Sequence, residues 1–80
     1  MKKSIFDTRG KEIADSVSMR TLVLHLYDSE RWPLNLEALF GTLKGNGISL
    51  AMGIMKSHSE ADPMFQKYAE QLAQIYTNRP

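Results

Sequence analysis

Cysteine is absent from the 80-residue chain. That excludes a disulfide framework, a thiolate zinc site and a thiol nucleophile. A chain this short buries only about 60% of the surface it exposes when unfolded, and without a covalent or metallic staple it is expected to gain stability by oligomerising. Charge of one sign is also lacking. Ten Lys and Arg face nine Asp and Glu, a net of +1, so no bulk field points to nucleic acid, a membrane or an acidic substrate. Long hydrophobic runs are missing too: the longest weakly polar stretch, Ile48 to Met55, is far below the roughly 18 residues that a membrane helix needs. The basic start Met1-Lys2-Lys3 meets Asp7, Arg9 and Lys11 where a signal peptide would turn apolar. The expectation is a cytoplasmic protein.

The residues present are those of an ordinary small domain, 42% hydrophobic and 24% charged, which excludes disorder and collagen-like character. One domain over residues 1–80 is expected, with a basic segment 1–17, a core 18–58 and a C-terminal helix 62–78. Charge is unevenly spread. Residues 1–20 carry a net +2, residues 21–59 balance, and residues 60–80 carry −1; from Ala38 to Met55 the sole charge is Lys44.

Local signals predict a mainly α fold, a small bundle of about four helices. Asp7 and Gly10 suit the first and fourth positions of a type I turn, so a short N-terminal β-hairpin can open the chain. Ser16 or Ser18 then caps a helix over about 18–29. Its dense Leu and Val content would also suit a buried strand. Trp32-Pro33 interrupts the chain, because the Pro33 ring biases Trp32 away from helical angles, and Pro33 or Asn35 starts a helix through Leu36, Leu39, Phe40 and Leu43. A third helix, 48–57, follows Gly45 and Gly47. The alternative for this region is an α+β fold, with Asn46-Gly47 as a hairpin turn that pairs Leu43 with Leu50, Gly41 with Met52 and Leu39 with Ile54. Leu, Ala and Met dominate the flanks, which favours helix. Asp62 and Pro63 open a last helix, 63–77, with a stripe of Phe65, Tyr68, Leu72, Ile75 and Tyr76.

Catalytic chemistry has few candidates: no thiol, two histidines, and no evident pair of buried carboxylates. A non-enzymatic protein without cofactor or metal is expected. His58, Glu60 and Asp62 are potential metal ligands, yet the cysteine pair of zinc deaminases is absent, and a solvated inter-helix loop is the simpler reading. Gly45-Asn46-Gly47 begins like a nucleotide fingerprint, but Leu50 stands where a later glycine belongs and Lys44 precedes the glycines, so these are turn residues.

Residues 19–58 have the layout of a helix-turn-helix: a leading helix, a polar break at Trp32-Pro33, a short helix 36–43, a glycine-containing turn and a third helix. With Trp32-Pro33-Leu34-Asn35-Leu36-Glu37-Ala38-Leu39 leading into the supporting helix, the segment resembles the three-helix core of winged-helix regulators. The resemblance implies a DNA-binding transcriptional regulator that reads DNA with Lys44, Asn46, Ser49, Gly53, Lys56 and Ser57, and with Lys2, Lys3 and Arg9 as a phosphate-contacting arm. Two departures stand against that implication. Helix 48–57 holds no Arg, Gln or Asn to pair with bases, and no basic wing follows it.

Helix 48–57 is apolar on two faces: Ile48, Ala51, Met52 and Met55 occupy one, Leu50 and Ile54 another. One face can meet the core; the other needs cover. Cover by a second copy or by a different protein makes Leu50, Ile54, Gly53 and Met52 the candidate partner-binding residues, with methionine supplying adaptable contact. The leading functional expectation is therefore a small regulator that docks on itself or on a partner protein, and direct DNA binding is the alternative.

Overall fold

A computed structural model describes residues 4–77. Six helices run along them: α1 Ile5–Thr8, α2 Gly10–Ala14, α3 Val17–Tyr27, α4 Leu36–Thr42, α5 Asn46–Ser59 and α6 Pro63–Thr77. Strands are absent among the described residues. The fold is mostly helical, as the periodicity predicts, but neither hairpin forms.

At the N-terminus two single-turn helices replace the expected hairpin. Ser4 caps α1 by accepting the Phe6 N–H, and Arg9, at φ −129°, separates α1 from α2. The physical reason lies in burial. Phe6 and Ile13 are both drawn into the core, Phe6 between the rings of Phe65 and Tyr68 at 5.8 and 4.8 Å, whereas an isolated two-stranded hairpin is at best marginally stable. Tyr68 anchors α6 to the same segment by donating its hydroxyl to the Gly10 carbonyl, and burial pushes its phenol pKa up.

Asn46-Gly47 likewise makes no hairpin turn: it is the first turn of α5. The turn sits one step earlier, at Gly45, whose φ of +37° is a left-handed value that favours glycine. Leu50, Ala51 and Ile54 are then buried at i, i+1 and i+4, a helical spacing that alternating strand residues could not reproduce.

The core forms around α3, which packs against α6, α5 and α2. Ser16 caps α3 through the Met19 N–H, and Met19, Leu22, Val23 and Leu24 are all buried because neighbours cover more than one side of the helix. The dense run that suited a buried strand is thus a helix buried on several sides. Each fully buried side chain of this size stabilises the fold by about 1.5–3 kcal/mol. Asn35, not Pro33, caps α4, which ends at Thr42 and places only Leu39 fully in the core.

Two core faces differ from those the pattern predicts. On α6 the buried residues are Phe65, Ala69, Leu72 and Ala73, with Tyr68 and Tyr76 packed at the edge, and Ile75 is 54% exposed. Ala69 and Ala73 are small, and α6 packs against α3. On α5 the buried residues are Leu50, Ala51, Ile54 and Ser57, while Met52 is 59% exposed and Ile48 and Met55 are only half-buried. The face expected to need outside cover is the one that α3 and α6 cover.

The end of α5 shows how the helices are tied. Asp62 N–H donates to the Ser57 carbonyl and Ala61 N–H to the His58 carbonyl, the paired bonds of a Schellman cap, with Ala61 at φ +57° in the position glycine usually takes. The Asp62 carboxylate then caps α6 by accepting the Met64 N–H at 2.9 Å and accepts hydroxyls from both Ser4 and Ser57 at 2.7 Å. One side chain thereby joins the start of α1, the end of α5 and the start of α6. These bonds, the one from Ser4 foremost, hold the Asp62 pKa below its ordinary 3.8.

Candidate functional site

Exposed residues with few charges among them follow one another along α4, the Leu43-Lys44-Gly45 connection and the outer side of α5. Of the residues implicated in DNA contact, Lys44, Asn46, Ser49 and Lys56 are all exposed. Asn46, Ser49 and Lys56 recur at helical spacing, so they share the outer side of α5 with Met52. Because α5 begins at Asn46, two residues before the expected start, this helix does carry an asparagine. Ser57, by contrast, is buried and its hydroxyl is committed to Asp62.

Arg9 has an acidic partner on the surface. It forms a two-pronged ion pair with Glu12 at 2.8 Å, and that hydrogen bond raises the Arg9 pKa and lowers that of Glu12. Lys2 and Lys3 lie outside the described residues.

The candidate partner residues separate. Leu50 and Ile54 are core residues, at 4% and 0% exposure, so they are corrected from surface to interior. Gly53 is occupied from within the chain: a Cβ there would fall 2.2 Å from Cδ1 of Ile5, so α1 seats its first side chain in the space glycine leaves. Met52 remains on the surface. Gly41 and Gly45 have open space where a side chain would stand, and Ala38, Thr42 and Ser49 are exposed as well.

Among the described residues His58, Glu60 and Asp62 do not gather as metal ligands. The His58 ring packs on Phe65 at 4.8 Å, and Asp62 holds the helix junction. No helix among the described residues is long and apolar enough to cross a membrane.

Sequence reasoning passed over a groove of about 340 Å³ formed by Val17, Arg20, Thr21 and Leu24 of α3, Trp32, and Tyr76 of α6. Arg20 and Tyr76 are 56 positions apart and meet through a 2.7 Å hydrogen bond, so no local pattern could announce it. The signal available in the sequence was Val17, an apolar residue just after the Ser16 cap, which the structure leaves 69% exposed. No family model matches this chain, and neither a curated protein nor a solved structure does.

Proposed function

We propose that this chain is a small non-enzymatic regulatory protein that acts by docking, and that its docking surface is the outer side of α4 and α5 around Met52, meeting a second copy of the chain. The observation that carries the reading is the scarcity of charge between Glu37 and Lys56, the exposed charges that border that surface. From Ala38 to Met55 only Lys44 is charged, although Ala38, Gly41, Thr42, Asn46, Ser49 and Met52 face solvent. Interface centres are depleted of charge and rich in methionine, and small residues let a second backbone approach. A self-complementary patch of this kind suits a two-fold dimer. Light scattering at micromolar concentration tests it: the expected mass is that of a dimer, falling to a monomer in Met52→Glu. A monomeric parent chain overturns self-docking.

A second reading is DNA binding by a helix-turn-helix. It is favoured by the three-residue connection with Gly45 between α4 and α5, and by Lys44, Asn46, Ser49 and Lys56 lying exposed on or beside the outer side of α5. Fluorescence anisotropy with duplex DNA at low and raised salt decides it. Binding that weakens steeply with salt and falls in Lys56→Ala supports this reading, and no binding at low salt removes it.

A further inference from the structure

We propose that the groove between α3, Trp32 and the end of α6 binds a small free carboxylic acid with a single-ring apolar body. The groove shares no residue with the outer side of α4 and α5, so the proposal stands apart from the docking reading.

The chemistry follows from what lines the space. Val17, Leu24, Trp32 and Tyr76 supply apolar and aromatic walls, and a volume of about 340 Å³ falls at the small end of the roughly 300–1,000 Å³ typical of ligand pockets. That size suits one ring with a short side arm, not a nucleotide. Polar anchoring comes from one group. The Arg20 guanidinium is held in place by two neutral oxygens, donating from Nε to the Tyr76 hydroxyl at 2.7 Å and from Nη1 to the Ala14 carbonyl. Among the described residues it makes no ion pair, so a planar cation held by two neutral oxygens borders an apolar groove. The Thr21 hydroxyl donates to the Val17 carbonyl at 2.8 Å and is not available to donate to a ligand. No carboxylate is among the described residues that line the groove.

Among the described lining residues Arg20 is the charged group, and the Arg31 guanidinium stacks 4.6 Å from the centre of the Trp32 ring, so the groove favours an anion with an apolar body. A guanidinium presents paired N–H donors that match a carboxylate, and aromatic walls favour a ring. A sugar or polyol would find too few polar partners here, and a cation would be repelled by Arg20. Trp32 is the sole tryptophan of the chain, so a ligand in this groove touches the fluorophore that reports on it.

Titrating the whole chain with phenylacetate, following tryptophan fluorescence and calorimetry, is the test. Saturable one-site binding is expected, with phenylacetamide, which has the same body and no charge, at least about tenfold weaker. Arg20→Gln should weaken phenylacetate by a similar factor. Because Arg20 also ties α3 to Tyr76, Val17→Asp is the companion variant: it places a negative charge on the exposed rim, in the first turn of α3 where an acid is tolerated, and should weaken phenylacetate several-fold with unchanged circular dichroism. A tripeptide ending in phenylalanine with a free carboxylate distinguishes a protein C-terminus from a free acid. Tighter binding of the tripeptide overturns the assignment to a free acid. Equal affinity for acid and amide, indifference to Val17→Asp, or no binding at millimolar phenylacetate overturns the site.

Discussion

Two neighbouring residues at the junction of α5 and α6, Ala61 and Asp62, act in opposite senses on stability. Ala61 occupies the left-handed position of the cap between α5 and α6, where a Cβ crowds the following carbonyl at a cost of about 1–2 kcal/mol. Ala61→Gly should therefore raise stability by about 1 kcal/mol, after glycine's own entropic cost, visible as a higher urea midpoint with unchanged slope. Asp62 stabilises the junction by accepting from Ser4, Ser57 and the Met64 N–H. Its pKa is depressed in the folded chain, so its contribution is fully present above the unfolded value near 3.8 and is lost as pH falls through the lower folded value. The urea midpoint should be steady from neutral pH to about 5 and decline below about 4. Asp62→Asn keeps a capping oxygen but removes the charge, so its midpoint should lie below the parent's at neutral pH and the gap should close toward about pH 3.

At the scale of the helix, α5 shows how two stripes of similar hydrophobicity are sorted. Leu50 and Ile54 lie against α3 and α6, while Met52 looks outward, so opposite substitutions give a clean contrast. Ile54→Asp puts a charge in a fully buried position and should unfold the chain, because an unpaired buried charge costs more than the roughly 5 kcal/mol or less that a domain of this size holds. Met52→Glu should change the folding stability of the single chain, read at concentrations too low for association, by no more than about 0.5 kcal/mol. Circular dichroism during urea titration reads both. On α6, Leu72→Ala removes a core residue that touches no candidate site and should cost about 2–5 kcal/mol by the same measurement.

For the whole molecule, self-docking and folding are linked by mass action. If two copies meet through the α4–α5 surface, the dimer stabilises the folded state, and the thermal midpoint should rise with protein concentration. The same scan on Met52→Glu should show no such rise. A midpoint independent of concentration in the parent chain would separate its stability from association and leave the core described above as the whole source of it. That core is small, but Asp62 joins the ends of three helices, and Phe6 brings the N-terminal turns into it.

The sequence by itself determined the helical class, the break at Trp32-Pro33, the boundaries of α6 and its Asp62 cap, because these rest on local physics: proline sterics, capping oxygens and residue propensity act within a few positions. Asn46-Gly47 misled as a turn signal, since the same dipeptide is tolerated at a helix start when the preceding Gly45 takes the left-handed angle. Of the candidate site, the exposure of Lys44, Asn46, Ser49 and Lys56 was legible from polarity and spacing. Tertiary structure alone decided which apolar stripe of α5 is inside, since Leu50-Ile54 and Ile48-Met52-Met55 differ little in hydrophobicity and the choice depends on where α3 and α6 lie. It decided, too, that residues 5–14 form two helical turns instead of a hairpin, because the Phe65 and Tyr68 rings that receive Phe6 are some sixty positions away. The Arg20–Tyr76 groove has the same origin: its walls come from opposite ends of the chain and meet only when α6 packs on α3.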